Sequence, residues 1–227
     1  MPTAAILPVK SFTRAKQRLG QTLADPLRPM LAEAMVADVL AALSSASAIA
    51  RTIVVTREPS VMEAVAGDGE TDVISDEGET GQSAAAVLGI GHALREGFDR
   101  VLCVPGDCPA LDPAELDELL GTASPDSPGV VVLPDRHGTG TNGLLLSPPD
   151  AIEPSFGPGS CERHLSLART AMVEGQVHRL QSLLLDIDTG ADLAVLRARL
   201  GELGERAERT KAVLARPEFA LPLAASA

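Results

Sequence analysis

The sequence predicts an α/β fold, a mostly parallel mixed sheet flanked by helices, and three observations carry that prediction. Short β-branched, apolar runs alternate with longer amphipathic segments along the chain. A composition of 45% hydrophobic and 22% charged residues over 227 positions supplies a core of normal size. No Gly-, Ser- or Pro-rich linker divides residues 1–200, which therefore read as one domain. Residues 201–227 read as a tail: a charged helical stretch from Gly201 to Arg216, then an Ala-rich apolar end from Pro217 to Ala227, with the character of a frayed or partner-docked terminus.

The predicted strands, in order, are Ala5 to Val9, Thr52 to Thr56, Thr71 to Ser75, Val101 to Val104, Val130 to Leu133, Gly143 to Leu146 and Leu183 to Ile187, each ending at a polar or Gly/Pro loop. Between them, helical spacing recurs at Leu27, Leu31, Met35, Val39 and Leu43. It recurs again at Val87, Ile90 and Leu94, at Leu116 and Leu120, at Leu165 and Ala168, and at Leu193, Leu196 and Leu200. These are read as core-facing stripes.

Charge excludes several functions. With 31 acidic residues against 19 Lys and Arg the formal charge is −12, and with 2% aromatic residues, no Trp and no Tyr, platforms for stacking bases are scarce. A nucleic-acid partner is not expected. No apolar run approaches the roughly 18 residues needed to span a bilayer, and Lys10 and Arg14 interrupt the N-terminal apolar run before it reads as a secretion signal. No membrane partner and a cytoplasmic location are the expectation. Cys103, Cys108 and Cys161 are odd in number and match no zinc spacing, so they read as small buried hydrophobes.

In an open α/β sheet, ligands bind beyond the carboxyl ends of the strands, so the loops there carry the functional information. After the first strand, Lys10, Arg14, Lys16 and Arg18 fall before the first acidic residue of the chain, Asp25, against the global charge. Lysine point charges and arginine forks suit a polyphosphate. A solvated basic loop is the alternative reading. No G-x-G-x-x-G and no G-x-x-x-x-G-K-[ST] is present, which argues against a dinucleotide dehydrogenase and a Walker-type NTPase.

After the third strand, Gly81, Gln82 and Ser83 can set backbone amides and short polar groups against a base or phosphate at a helix start, or Ser83 simply caps that helix. After the fourth strand, Pro105-Gly106-Asp107-Cys108-Pro109 delivers one carboxylate from a rigid turn, where a cation can be held with little loss of side-chain freedom; a turn residue or cap is the alternative reading. Near the end, Asp186 and Asp188 share one face of an extended segment by the period-two rule. Two like charges that close need a cation or a basic group between them, and with Asp107 they would make a hard-oxygen site for Mg²⁺. Asp188 or Thr189 capping the next helix, with Asp192 completing a capping box, competes with that reading. Residues Pro134 to Leu144 and Phe156 to His164 add two Gly- and hydroxyl-rich turns suited to anions, the second with Gly157 and Ser160 at a helix start.

In this order, the motifs resemble one family. They are P-V-K with A-K-x-R-L (Pro8, Val9, Lys10, Ala15, Lys16, Arg18, Leu19), P-G-D-x-P (Pro105, Gly106, Asp107, Pro109), D-R-x-G-T-x-T-N (Asp135 to Asn142), F-G-x-G-S (Phe156 to Ser160) and D-I-D-T (Asp186 to Thr189). Residues 4 to 200 resemble the guanylyltransferases of coenzyme F-420 biosynthesis, which join GTP to phosphoenolpyruvate or 2-phospho-L-lactate. Gly81-Gln82-Ser83 departs from the G-L-N or G-x-N pattern of that family. The resemblance implies a single-domain nucleotidyltransferase fold, GT-A-like and Rossmann-like in its layering. It implies Mg²⁺ held by Asp107, Asp186 and Asp188 as the catalytic centre, and the nucleotide at Lys10, Lys16, Arg18, Gly81, Gln82 and Ser83. The phosphorylated three-carbon acid would lie near Thr141, Gly157 and Ser160.

Because the Ala- and Arg-rich composition is similar to that of actinobacterial members, phosphoenolpyruvate is the expected acid and enolpyruvoyl-2-diphospho-5'-guanosine with pyrophosphate the expected products. A downstream transferase that consumes this labile product is the implied partner. The alternatives are 2-phospho-L-lactate or 3-phosphoglycerate as acceptor, another acceptor such as molybdopterin or a sugar phosphate, and a catalytically silent GTP-binding regulator.

Overall fold

The computed structural model describes residues 2–14, 16–122 and 129–219. Ala15 of the opening motif and residues 220–227 of the apolar end lie outside the described residues. The strands are β1 (Thr3–Val9), β2 (Ile49–Thr56), β3 (Thr71–Ser75), β4 (Arg100–Cys103), β5 (Gly129–Pro134), β6 (Thr141–Ser147) and β7 (Glu174–Val177). The helices are α1 (Leu27–Ser45), α2 (Pro59–Ala64), α3 (Gln82–Arg95), α4 (Pro113–Thr122), α5 (Ser160–Thr170), α6 (Gly190–Arg199) and α7 (Glu208–Leu214).

The strands form one sheet in the order β3-β2-β1-β4-β6-β5-β7, parallel except for β6, which runs antiparallel to both its neighbours. Strand alternation sorts the core into two layers. Ala5, Leu7, Val54 and Leu102 face α1 and α4, while Ala4, Ile6, Ile53, Val55 and Val101 face α3 and α5. β1 has β2 on one side and β4 on the other, and the chain reverses its direction of growth there. A crevice therefore opens between the loops that follow β1 and β4.

Three sequence expectations need correction. Leu183 to Ile187 is not a strand: Gln181–Leu183 is a 3₁₀ turn and residues 184–188 are irregular. The sheet edge that such a strand would need is filled by β7, and the segment instead crosses the end of the sheet. There the Ile187 N–H donates to the Asp107 carbonyl at 3.1 Å and Asn142 Nδ2 donates to the Leu183 carbonyl at 2.7 Å. β7 itself escaped notice because Glu174-Gly175-Gln176-Val177 is exposed throughout and is held by backbone pairing to β5, not by an apolar pattern. On α3, Ile90 is buried but Val87 and Leu94 are exposed. The buried face is Ala85, Ala86, Gly89, Ile90 and Ala93, because the helix lies so close to β1 that a Cβ on Gly89 would stand 2.5 Å from Ile6 Cγ2.

Of the tail, Leu203, Ala207, Val213, Leu214 and Phe219 are buried in a third cluster with Leu31, Ala34 and Met35 on the outer side of α1. Asp38 of α1 accepts the N–H groups of Arg209 at 2.9 Å and Thr210 at 2.8 Å. Its carboxylate thus caps the start of α7 from a neighbouring helix, meeting donors that a helix start leaves unpaired. The three cysteines are buried and free, and burial pushes the Cys103 thiol up to about 12. Among the described residues no helix is long and apolar enough to cross a membrane.

Candidate active site

The crevice holds a cavity of about 250 Å³ lined by Lys10, Lys16, Gly81, Gln82, Asp107 and Asp188, with Asp76 and Glu79 along one wall. Residues from four separate loops thus meet at the carboxyl end of the sheet, as the topology requires. Lys16 carries the closest contacts. Its Nζ donates to Asp107 Oδ2 at 2.6 Å and to Asp188 Oδ1 at 3.0 Å, bridging carboxylates far apart in sequence. Lys16 holds a left-handed backbone, φ 56° and ψ 36°, which costs an L-residue on the order of 1 kcal/mol or more. The two ion pairs help offset that strain. Burial alone would lower the pKa of the Lys16 ammonium, but the Asp107 and Asp188 charges outweigh it and raise it, so the group stays cationic.

Leu185 and Ile187 are buried and Asp186 and Asp188 are not, so the period-two alternation holds although the segment is irregular. Burial, then the Asp107 charge, pushes the Asp186 carboxyl above the ordinary range, while the Asn142 amide opposes the shift from Nδ2, 3.2 Å from Oδ1. Asp107 Oδ1 is buried with no hydrogen-bond partner. Among the described residues no three acidic, His or Cys side chains form a ready metal cage, and Lys16 stands between two of the expected ligands. The donor set nevertheless suits a hard divalent ion. It offers one orphaned buried carboxylate oxygen and a second carboxyl that its neighbours discourage from ionising without a cation.

Asp188 is held by the turn it sits on. Thr189 caps α6 in a capping box with Asp192, whose Oδ2 accepts the N–H groups of Thr189 at 2.7 Å and Asp188 at 3.2 Å, while Asp192 Oδ1 pairs with Arg136 at 2.5 Å. A side chain at Gly190 would run into Thr22, so the turn packs directly on the segment that carries Lys16. Of the residues of D-I-D-T, Thr189 therefore forms the helix cap and Asp188 lines the cavity.

The remaining predicted residues divide into those at the cavity and those beside it. Lys10 is exposed on the cavity wall. Arg18 is largely exposed, 3.8 Å from Asp188 Oδ2. Gly81, at φ 123°, is the N-cap of α3 and makes no side-chain cap, and Gly81 and Gln82 place the start of α3 on the cavity wall. Ser83 does not cap α3, because its Oγ accepts the Phe156 N–H at 2.9 Å.

Thr141, Gly157 and Ser160 come together next to the cavity but do not line it. Ser160 is fully buried, and its Oγ donates to Thr141 Oγ1 at 3.0 Å; its N–H donates to the Gly157 carbonyl at 3.0 Å. Sequence reasoning missed Asn142, Arg136, Asp76 and Glu79 as parts of the site. Their signal was present only as membership in loops already singled out.

The mostly parallel sheet, with a cation-bearing crevice at its reversal point, has the nucleotidyltransferase-like α/β fold. The chain shares that fold with a nucleotidyl transferase from Methanothermobacter thermautotrophicus, at TM-score 0.61 and 23% identity, over 88% of this chain and 98% of the other. More narrowly, residues 3–202 match the model of the CofC-like guanylyl transferases, and the chain belongs to that family. A phosphoenolpyruvate guanylyltransferase of Conexibacter woesei is 45% identical, over 94% of this chain and 96% of its own length. A 2-phospho-L-lactate guanylyltransferase of Methanothermobacter thermautotrophicus is 35% identical over 85% of this chain and 83% of its own.

Proposed function

We propose that the chain joins GTP to phosphoenolpyruvate, releasing pyrophosphate, as a guanylyltransferase of coenzyme F-420 biosynthesis. The observation that carries this reading is the convergence of Lys16, Asp107 and Asp188, from three distant loops, on one cavity beside the first turn of α3. Relatives with the same activity in their names support the choice of reactants. In the reaction a phosphate oxygen of the acid attacks the α-phosphorus of GTP in line. The bond from that phosphorus to the bridging oxygen breaks, and pyrophosphate leaves with the electron pair.

The nucleophile needs no general base, since the second pKa of a phosphate monoester is about 6. The barrier is mainly the repulsion of two polyanions. Lys10, Lys16 and Arg18 would neutralise the triphosphate, Lys10 and Lys16 from the cavity lining and Arg18 from its place beside Asp188. Gly81, Gln82 and Ser83 would present the start of α3 to the nucleotide. Asp107, Asp186 and Asp188 would hold Mg²⁺, which supplies charge neutralisation at the phosphates when bound. Thr141 would donate to the acid, with Gly157 and Ser160 forming the turn that supports it, and the pathway enzyme that consumes the product would be the partner.

Pyrophosphate release, measured for the four nucleoside triphosphates against phosphoenolpyruvate, 2-phospho-L-lactate and 3-phosphoglycerate, with and without Mg²⁺, tests the reading. Release is expected with GTP, phosphoenolpyruvate and Mg²⁺ together. Preference for another triphosphate would overturn guanylyl transfer, and preference for phospholactate would move the chain to the activity named for its 35%-identical relative.

A further inference from the structure

His164, on α5, is fully buried and belongs to none of the groups assigned above. Its ring meets Phe156 edge-on, with centroids 5.3 Å apart and planes at 75°. The main-chain N–H of Ser155 donates to Nε2 at 2.9 Å, so Nε2 presents its lone pair and the ring proton sits on Nδ1. Nδ1 lies 3.1 Å from Thr141 Oγ1 and therefore donates to it. Ser160 Oγ donates to the same oxygen at 3.0 Å. Both acceptor positions of the Thr141 hydroxyl are then filled, and only its own hydrogen remains to offer. Burial, then the neighbouring Arg163 charge, pulls the imidazole down to about 4, so the ring stays neutral near pH 7.

We propose that His164 is a positioning residue, whose Nδ1–H makes the Thr141 hydroxyl an obligate donor aimed at the phosphorylated acid. The proposal rests on the reading of Thr141 as an acid-binding residue. An obligate donor suits a carboxylate or phosphate oxygen, which can only accept, and it gives a ligand hydroxyl or amide N–H no acceptor. The same ring fixes the loop that carries Gly157. Ser155 is bonded to His164, and Phe156 N–H is bonded to Ser83 Oγ on α3, so this loop spans the acid and nucleotide sides.

Two measurements on the full chain test the proposal. Imidazole ¹⁵N chemical shifts of His164 are expected to report a neutral ring protonated on Nδ1; an Nε2-protonated ring would overturn the hydrogen-bond order whatever the activity. In steady-state kinetics, His164→Phe removes both bonds, and the KM for the acid is expected to rise about tenfold or more with the KM for GTP within about twofold. His164→Asn places an amide N–H near Nδ1 and is expected to bring the acid KM back to within about threefold of wild type, whereas His164→Gln, which reaches the Nε2 position, is not.

An unchanged acid KM in the Phe variant, equal rises for both substrates, or rescue by Gln instead of Asn would overturn the proposal. If the unmutated chain releases no pyrophosphate with any acid, the functional reading itself fails and the acid is removed as the ligand of Thr141. Loss confined to the His164 variants is distinct from that result.

Discussion

Asp107→Ala is expected to lower turnover by about 10²- to 10³-fold, on the order of 3–4 kcal/mol of barrier, while leaving the thermal midpoint close to wild type. The size follows from removing a group that helps neutralise charge where it must be neutralised. The retained fold follows from position: the Asp107 side chain is partly exposed, and the backbone bond from Ile187 to the Asp107 carbonyl survives the change. Asp188→Ala should behave alike, because the Thr189–Asp192 capping box keeps the turn in place. Near-wild-type pyrophosphate release from either folded variant would remove that carboxylate from the catalytic centre.

Lys16→Met is expected to raise the KM for GTP by about tenfold or more, by deleting the buried cation that bridges Asp107 and Asp188. It also leaves Asp107 and Asp188 facing each other uncompensated. Breaking the pair should cost about 1–3 kcal/mol of stability, more than an exposed pair and less than a fully desolvated one, since both carboxylates keep contact with solvent. Mg²⁺ should therefore raise the thermal midpoint of the variant more than that of the parent chain. Unchanged GTP binding by calorimetry would exclude Lys16 from the nucleotide site.

Much of this arrangement can be read before any coordinates. Six strands stand out as short apolar runs; β1, β2, β4, β5 and β6 are largely buried, and β3, although only partly buried, falls on the residues anticipated, Thr71–Ser75. β7 could not be found by the same signal, since its pairing uses backbone groups alone. The apolar residues of α3 misled because a helix packed tightly on a sheet buries its small face, here Ala85, Ala86 and Gly89, and turns Val87 and Leu94 outward.

At the site, Asp107 and Lys16 stood out by residue type in loops that follow strands, and Asp186 and Asp188 by their period-two spacing, although the segment that carries them is irregular and not a strand. Asp192 was identifiable by its three-residue spacing from Thr189. What joins these residues was not. The salt bridge from Arg136 to Asp192, the amide of Asn142 on Asp186 and the ring of His164 on Thr141 are contacts across 56, 44 and 23 positions of chain. No local pattern encodes such contacts.

Three carboxylates and one lysine, distant in sequence, are proposed to form a single divalent-ion and triphosphate site. Anomalous scattering from crystals of the full chain grown with Mn²⁺ and a non-hydrolysable GTP analogue tests it most directly. A manganese peak ligated by Asp107 and by Asp186 or Asp188, with Lys16 contacting the triphosphate, is expected. A peak elsewhere, or a nucleotide bound with Lys16 still bridging Asp107 and Asp188 and no metal between the carboxylates, would contradict it.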